Sequence, residues 1–453
     1  MSASERARLA DDLLRRLAAA LRGAQLYAPN HPIVTRSITA LADVLAIVHA
    51  TSPSIVIGVV GDDVVVGDIA MPRAADTMGE LIRRLQHAGI ERITIDRGVE
   101  NDELARLIST LARADASDDG AAALGRLPHV RVGRLNVEQR VDAGAGDAAT
   151  FRKLYDDAVV MAETLWDSAD TEGKPDADAA RGMVDSLAQA VAQNRTALLA
   201  LTALKQYDNY TFTHMVNVSI LTMGQARGLG IEGGMLREFG MAALMHDIGK
   251  VKTPPEILNK PEKLTEQEFG ILRRHTVDGA EILRQTPEMP ALAPVVAFEH
   301  HLRVDGTGYP HGVQRPRLNL GTMLCGIADV YDAMRSRRVY QQAFPTDRIL
   351  AVLQGNDGVQ FDQHLVRRFA QLLGIYPAGN LVRLDSSEIA VVLKTYAPDP
   401  YRPRVRIVID TAGTRLDHPY DVNLWETADE QPARSVQAPV DPADYGIDPL
   451  SHL

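Results

Sequence analysis

The stretch Met245 to Val251, MHDIGKV, constrains this chain more than any other, because five more His and Asp residues join its His-Asp doublet from neighbouring helical patterns. His214 lies upstream; His275, His300, His301 and Asp329 lie downstream. Imidazoles and carboxylates on apolar helix faces carry a large desolvation cost unless something positive neutralises the carboxylates. A fold that buries these helices is therefore expected to bring the seven side chains together. Nitrogen and oxygen donors in this ratio suit a borderline divalent metal such as iron, manganese or zinc, and seven exceed what one ion takes. Two ions sharing a carboxylate is the natural arrangement, and Asp247, with two oxygens, is the best candidate for the shared ligand.

The local patterns aim these residues inward. Leu236, Phe239, Gly240, Ala243 and Leu244 form one stripe of a helix over 234–249 that continues to His246 and Asp247, with Gly249 expected as a left-handed helix stop. Thr265 to Glu268 reads as a capping box opening a helix whose buried face holds Phe269, Leu272, His275, Thr276, Gly279 and Leu283. The apolar run LAPVVAF delivers His300 and His301 to a Gly-rich loop, and Asp329 and Asp332 lie one turn apart in CGIADVYDAM.

A chain of 453 residues, 45% hydrophobic and 24% charged, is long enough for two or three globular domains. Residues 1–140 read as an α+β domain, with helices over 4–22, 33–49, 76–88 and 101–114, a hairpin over 54–68 turning at Gly61-Asp62-Asp63, and a strand over 91–96. Its histidines His31, His49, His87 and His129 stand singly, so a regulatory or dimerisation module is expected there. Residues 141–147, VDAGAGD, read as a linker; 148–375 as an all-α domain; 376–425 as a small all-β appendage; and 426–453, with four prolines and several acids, as a disordered tail.

The net charge of -11 argues against a DNA or RNA polymer as partner. A lone Cys325 rules out an internal disulfide and fits a reducing compartment. The N-terminal helix lacks the apolar run of a signal peptide, and no stretch is expected to reach the roughly twenty apolar residues of a membrane span, so the expectation is a cytoplasmic protein without membrane contact. A homodimer through the N-terminal domain or helices is the one protein partnership considered.

The motifs YTFTH, HDIGK, PPEILNKPEKLT, HTVDGAEIL, HH with DGTGYP, and ADVYDAM stand in this order between about Tyr207 and Tyr376. This ordered set resembles the HD-GYP family of cyclic di-GMP phosphodiesterases. The resemblance implies an HD-type helical domain, a cyclic dinucleotide substrate and two divalent ions, iron or manganese. One ion would be held by His214, His246, Asp247 and Asp329, the other by Asp247, His275, His300 and His301. Some relatives place a third-metal glutamate where this chain has Tyr210, so two ions are expected.

The expected chemistry is cleavage of cyclic di-GMP to linear pGpG, with GMP as the product of any second cut, by a hydroxide bridging the two ions. Lowering the pKa of water from about 15.7 toward about 7 is worth about 12 kcal/mol, more than any single hydrogen bond supplies. Lys250 is placed to reach a phosphate oxygen or leaving group, and Asp332 to take a proton from the attacking water. The loop residues Asp305, Gly308 and Tyr309 are expected at the substrate, Tyr309 by stacking or hydroxyl donation. Arg338 matches a family arginine that grips phosphate. The chain departs from the family at Leu302, where glutamate is common, at Val339, where proline is common, and at Gln341, where lysine is usual. Arg335 and Arg337 either replace the lost cations or form a solvated helix face. Two other readings share the motif set: a weakly catalytic sensor or adaptor that binds cyclic di-GMP, and an HD hydrolase of another nucleotide.

Overall fold

A computed structural model describes residues 3–453 apart from 61–62, 68, 72–73, 89, 114–126, 134–147, 194, 203–209, 313–317, 337–343, 345, 357, 397–398, 400 and 427–433. The expected linker 141–147, the turn residues Gly61 and Asp62, and Arg337, Arg338, Val339 and Gln341 lie outside the described residues. The chain forms two compact units, residues 1–138 with 228–235 and residues 139–227 with 236–453.

In the first unit, helices Ala3–Leu26, Pro32–Thr51, Ala74–His87 and Asn101–Arg113 accompany an antiparallel sheet. Its strands β1 (Ser54–Val60), β2 (Asp63–Val66), β3 (Ile69–Met71), β4 (Arg92–Asp96) and β5 (Val130–Gly133) lie in the order β3-β2-β1-β4-β5. Leu17, Leu41, Ile57, Ile93 and Leu107 belong to one buried cluster that joins helices to sheet. The single histidines here serve the local fold. His31 caps a helix by accepting from Ile33 N at 3.3 Å, His49 bonds the carbonyl of Ser52 at 3.2 Å, and His129 pairs with Glu103 at 2.9 Å.

Pro32–Ala50 corrects one expectation, because by length and by a mean hydropathy of 1.5 it is apolar enough to cross a membrane. Arg36 and Asp43 interrupt the run and hid it from a search for unbroken apolar sequence. Its Val34, Ile38, Leu41 and Leu45 are buried in the core of this unit.

The second unit is helical up to Leu373. Helix Tyr210–Gly228 has buried residues on every side, among them Met215, Val216, Val218 and Ile220, the mark of a central helix. Polar side chains tie it to its neighbours: Asn217 accepts from Tyr155 at 2.7 Å, Ser219 donates to the carbonyl of Gly240 at 2.8 Å, and Gln225 donates to that of Leu324 at 2.9 Å.

The C-terminal strands β6 (Leu381–Leu384), β7 (Ile389–Lys394), β8 (Arg404–Ile409), β9 (Arg415–Asn423) and β10 (Val436–Val440) form a sheet in the order β10-β6-β7-β8-β9. One core contains Val382, Ala390 and Ile407, and a second contains Leu381, Val391 and Ile447. The expectation of a disordered tail over 426–453 is therefore overturned for its described part. β10 pairs with β6, Arg434 bonds Glu388 at 2.7 Å, and helix Pro442–Tyr445 follows. Composition misled because the few apolar residues fall where they count: Pro439 is tolerated on an edge strand, and Ile447 is buried. Asp448 also accepts from Arg152 of helix Ala148–Glu172 at 3.0 Å.

Removing residues 434–453 is expected to destabilise this unit by about 3 kcal/mol or more, since full burial of one isoleucine alone is worth about 1.5–3 kcal/mol. Denaturant unfolding of the truncated chain measures it, and an unchanged midpoint would refute the structural role of the tail.

Candidate metal centre

Five elements deliver the seven residues. His214 comes from helix Tyr210–Gly228, His275 opens helix His275–Gln285, His300 and His301 follow helix Leu292–Glu299, and Asp329 lies on helix Leu320–Arg335. His246 and Asp247 do not end a helix running to Gly249, as their stripe suggested. Helix Gly233–Leu244 stops first, and after a turn a 3-10 helix covers Ile248–Lys252.

Gly249 is not among the left-handed glycines, so its expected cap role is corrected. A Cβ there would strike the carbonyl oxygen of His275 and the backbone of Gly279. Glycine is needed because two backbones meet, and this contact sets Asp247 beside His275. The capping box at Thr265 and Glu268 is present, but the helix it opens, Glu266–Arg273, ends just before His275 and buries none of its residues fully. Phe269 and Leu272 are accordingly half-buried, whereas His275, Thr276, Gly279 and Leu283 are buried.

Donor atoms of Asp247, His275, His300 and His301 lie within 4.8 Å of one another, and so do those of His214, His246 and Asp329. Asp247 faces both groups. Its Oδ1 is 3.3 Å from His275 Nε2 and 3.7 Å from His300 Nε2. Its Oδ2 is 3.4 Å from His246 Nε2 and 3.7 Å from His214 Nε2, and pairs with Lys250 Nζ.

The outer nitrogens fix the tautomers. His246 Nδ1 meets the carbonyl of Ala243 at 2.7 Å, His275 Nδ1 that of Leu272 at 2.7 Å, and His300 Nδ1 that of Ala297 at 3.0 Å. A carbonyl only accepts, so each Nδ1 carries the proton and each Nε2 offers a lone pair inward. His275 Nε2 and His300 Nε2 then face each other as two acceptors 3.3 Å apart. His246 Nε2 and Asp247 Oδ1 are buried without a hydrogen-bond partner. Acceptors packed this way call for a cation, and the donor set fits divalent metal ions.

Charge differs between the groups. Burial holds His275 down to about 4 and His301 to about 3, and sets His300 well below the usual imidazole range. Burial presses on His214 too, but the carboxylates of Asp329 and Asp332 outweigh it and push the ring up to about 9. Burial would raise Asp247, yet the Lys250 ammonium holds it well below the carboxylate range.

Asp332 takes a different role from the one expected of it. Its Oδ2 accepts from His214 Nδ1 at 2.8 Å, while its Oδ1 accepts from Asn217 and from Arg335, each at 2.9 Å. A fully buried carboxylate engaged on both oxygens positions His214, and the general-base assignment is withdrawn. Arg335 is buried against it rather than forming a solvated face. Sequence reading missed Asn217 and Tyr155; Asn217 stands three residues after His214, close to one helical turn and so on a neighbouring face, which was a usable clue, whereas Tyr155 had none.

The loop is only partly at the site. Asp305 is exposed and shapes the turn by accepting from Thr307 N at 2.9 Å and Thr307 Oγ1 at 2.6 Å. Gly308 has φ 95°, and a Cβ on it would strike the carbonyl of His301. That close approach, with the bridge between Leu302 and Gly308, sets the Tyr309 ring 4.5 Å from His301 and 6.2 Å from His275.

Two outcomes follow from this geometry. Gly249→Ala is expected to cost about 3 kcal/mol or more by overpacking two backbones, read by denaturant unfolding, and a stability equal to the parent would refute the close-approach account. Metal uptake at about pH 7.5 is expected to release at least one proton per chain, from His214, which holds its proton up to about 9 while His275 and His301 are already neutral, and a hydroxide formed between the ions would add another. Calorimetry in buffers of different ionisation enthalpy counts the proton; zero release contradicts the charge asymmetry.

Residues 186–365 match the HD domain family, and residues 381–437 match a KOW domain associated with HD domains. The second match runs past residue 425, as β10 does, and so moves the end of the expected β appendage. A cyclic di-GMP phosphodiesterase of Pseudomonas aeruginosa is 40% identical over 228 residues, which cover 50% of this chain and 55% of that protein. Another, of Thermotoga maritima, is 34% identical over 174 residues, 38% of this chain and 47% of that one. The 3'3'-cGAMP-specific phosphodiesterase 1 of Vibrio cholerae is 34% identical over 161 residues, 35% of this chain and 36% of its own length. The chain thus spans about half the length of the first two relatives. With the ordered motifs and the seven converging His and Asp residues, these similarities mark residues 186–365 as an HD domain similar to the matching segments of proteins named cyclic di-GMP phosphodiesterases.

Proposed function

We propose that this chain hydrolyses the phosphodiester bonds of a cyclic dinucleotide, cyclic di-GMP first, to linear pGpG, at a centre of two divalent ions, iron or manganese. The observation that carries this reading is Asp247, whose two oxygens face two separate groups of inward-pointing nitrogens. His214, His246, Asp329 and Asp247 Oδ2 would hold one ion; His275, His300, His301 and Asp247 Oδ1 the other. Bound there, the ions supply Lewis acidity toward the phosphoryl oxygens and a nucleophile at neutral pH.

The protein's own groups do the rest. Asp332 keeps the His214 ring turned inward. Lys250 neutralises Asp247 and, once a cation takes over that oxygen, has its ammonium available for a substrate phosphate. Tyr309 offers a ring face at the edge of the centre, suited to a base or to a hydroxyl contact. Arg338 remains a proposed phosphate contact. Leu302 is buried in the bridge to Gly308, so the position that is commonly glutamate in the family supports the loop here. The Vibrio cholerae relative named for 3'3'-cGAMP matches at an identity similar to the Thermotoga maritima protein, which favours a cyclic dinucleotide class with cGAMP as the second substrate to try.

Anaerobically loaded iron or manganese protein, assayed by metal analysis and product chromatography on one sample, is expected to bind two ions and open cyclic di-GMP. Asp247→Asn should lower kcat by more than about 100-fold, the upper end for losing only an outer partner of a metal ligand. Two bound ions with no cleavage of any cyclic dinucleotide would overturn the proposal.

A further inference from the structure

The polar chain behind His214 runs further than its carboxylate. Tyr155, on helix Ala148–Glu172, is buried and donates its hydroxyl to Asn217 Oδ1 at 2.7 Å. Asn217 Nδ2 then donates to Asp332 Oδ1 at 2.9 Å, and Asp332 Oδ2 accepts from His214 Nδ1 at 2.8 Å. The same Oδ1 also accepts from Arg335, itself bonded to the carbonyl of Thr202. Direction matters in this chain. Because a tyrosine hydroxyl that donates to Oδ1 fixes which end of the amide faces Asp332, the asparagine presents its NH2 to the carboxylate. A flipped amide would set oxygen against oxygen. In the second group, among the described residues, His275 and His300 lean instead on backbone carbonyls of their own segments.

We propose that Tyr155 and Asn217 are positioning residues that act through Asp332 on His214, so that helix Ala148–Glu172 governs metal occupancy in the His214, His246 and Asp329 half of the centre and not in the other half. The inference rests on the two-metal reading given above. It extends that reading to residues that touch neither metal nor substrate. Outer partners of metal-bound histidines set ring orientation and basicity, and their loss weakens affinity by about 10- to 100-fold. A hydroxyl two steps further out acts by the same route, through the amide it orients.

The test uses the full chain. Tyr155→Phe keeps the ring and removes the hydroxyl; Asn217→Leu keeps the bulk and removes both polar contacts. Metal-binding isotherms with manganese, metal analysis after partial chelation, and the unfolding midpoint of metal-free protein are measured on each variant. Expected is a loss of about 10-fold in affinity for one of two ions, with the other ion unchanged and the metal-free midpoint lowered by no more than the lost buried hydrogen bonds account for. In an Asp332→Asn background the Tyr155→Phe effect should vanish, because the path is already broken. Equal weakening of both ions, additive effects in the double variant, or two ions held as tightly as in the parent would overturn the inference. If Asn217→Leu fails to fold, Tyr155→Phe and its double variant decide alone. A parent chain that binds no metal removes the two-metal reading and this inference together; a parent with two ions and an indifferent Tyr155→Phe removes the inference only.

Discussion

Burial of the Asp247 carboxylate is the constraint on which the rest of the helical unit depends. A carboxylate at 2% exposure, with one oxygen lacking any hydrogen-bond partner, is tolerable only among positive charge. The fold supplies it partly through Lys250 and leaves the remainder to whatever occupies the inward nitrogens. Helices that would otherwise be ordinary apolar packing elements are held to one register by this requirement. The 3-10 helix after Asp247 reaches helix His275–Gln285 only because Gly249 has no side chain, so the backbone contact and the buried charge enforce each other.

Much of the centre was legible because chemistry and periodicity agreed. Seven His and Asp residues on apolar stripes admit few explanations, and the structure gathers all seven. What failed was assignment of role from spacing. Asp332, one turn from Asp329, looked like a second group facing the site, yet an adjacent position on a helix is rotated enough to address the far nitrogen of His214. Gly249 looked like a helix stop because glycine often is one; the helix had already ended at Leu244, and the residue is used for close approach. Each error came from reading along the chain where the deciding neighbour lay across space.

The outer domains show the same boundary between what sequence carries and what it does not. Alternation and β-branched runs located β1, β2, β4, β6, β7 and β8, since each contains its own pattern. β10 was missed because a strand that completes another's sheet needs little apolar content of its own: Val436–Val440 borrows its order from β6, and Ile447 finds a core built by Leu381 and Val391. The helix Pro32–Thr51 erred the other way, with enough apolar residues for a span but with its stripe turned into the N-terminal core.

The two halves of the centre are also unequal, and the inequality follows from which acceptors stand behind the rings. The His214 half contains Asp329, shares Asp247 and is backed by the buried Asp332; the His275 half shares Asp247 but has neutral imidazoles and carbonyl acceptors behind them. An ion held among the more numerous carboxylates would be retained more firmly, and one held in the other half would be the more electrophilic. Tyr309 sits beside His301, in the half with fewer carboxylates. The two halves are thus held differently: one is fastened into the helix bundle through Asp332 and Arg335, and the half with the lighter charge adjoins the loop that carries the Tyr309 ring.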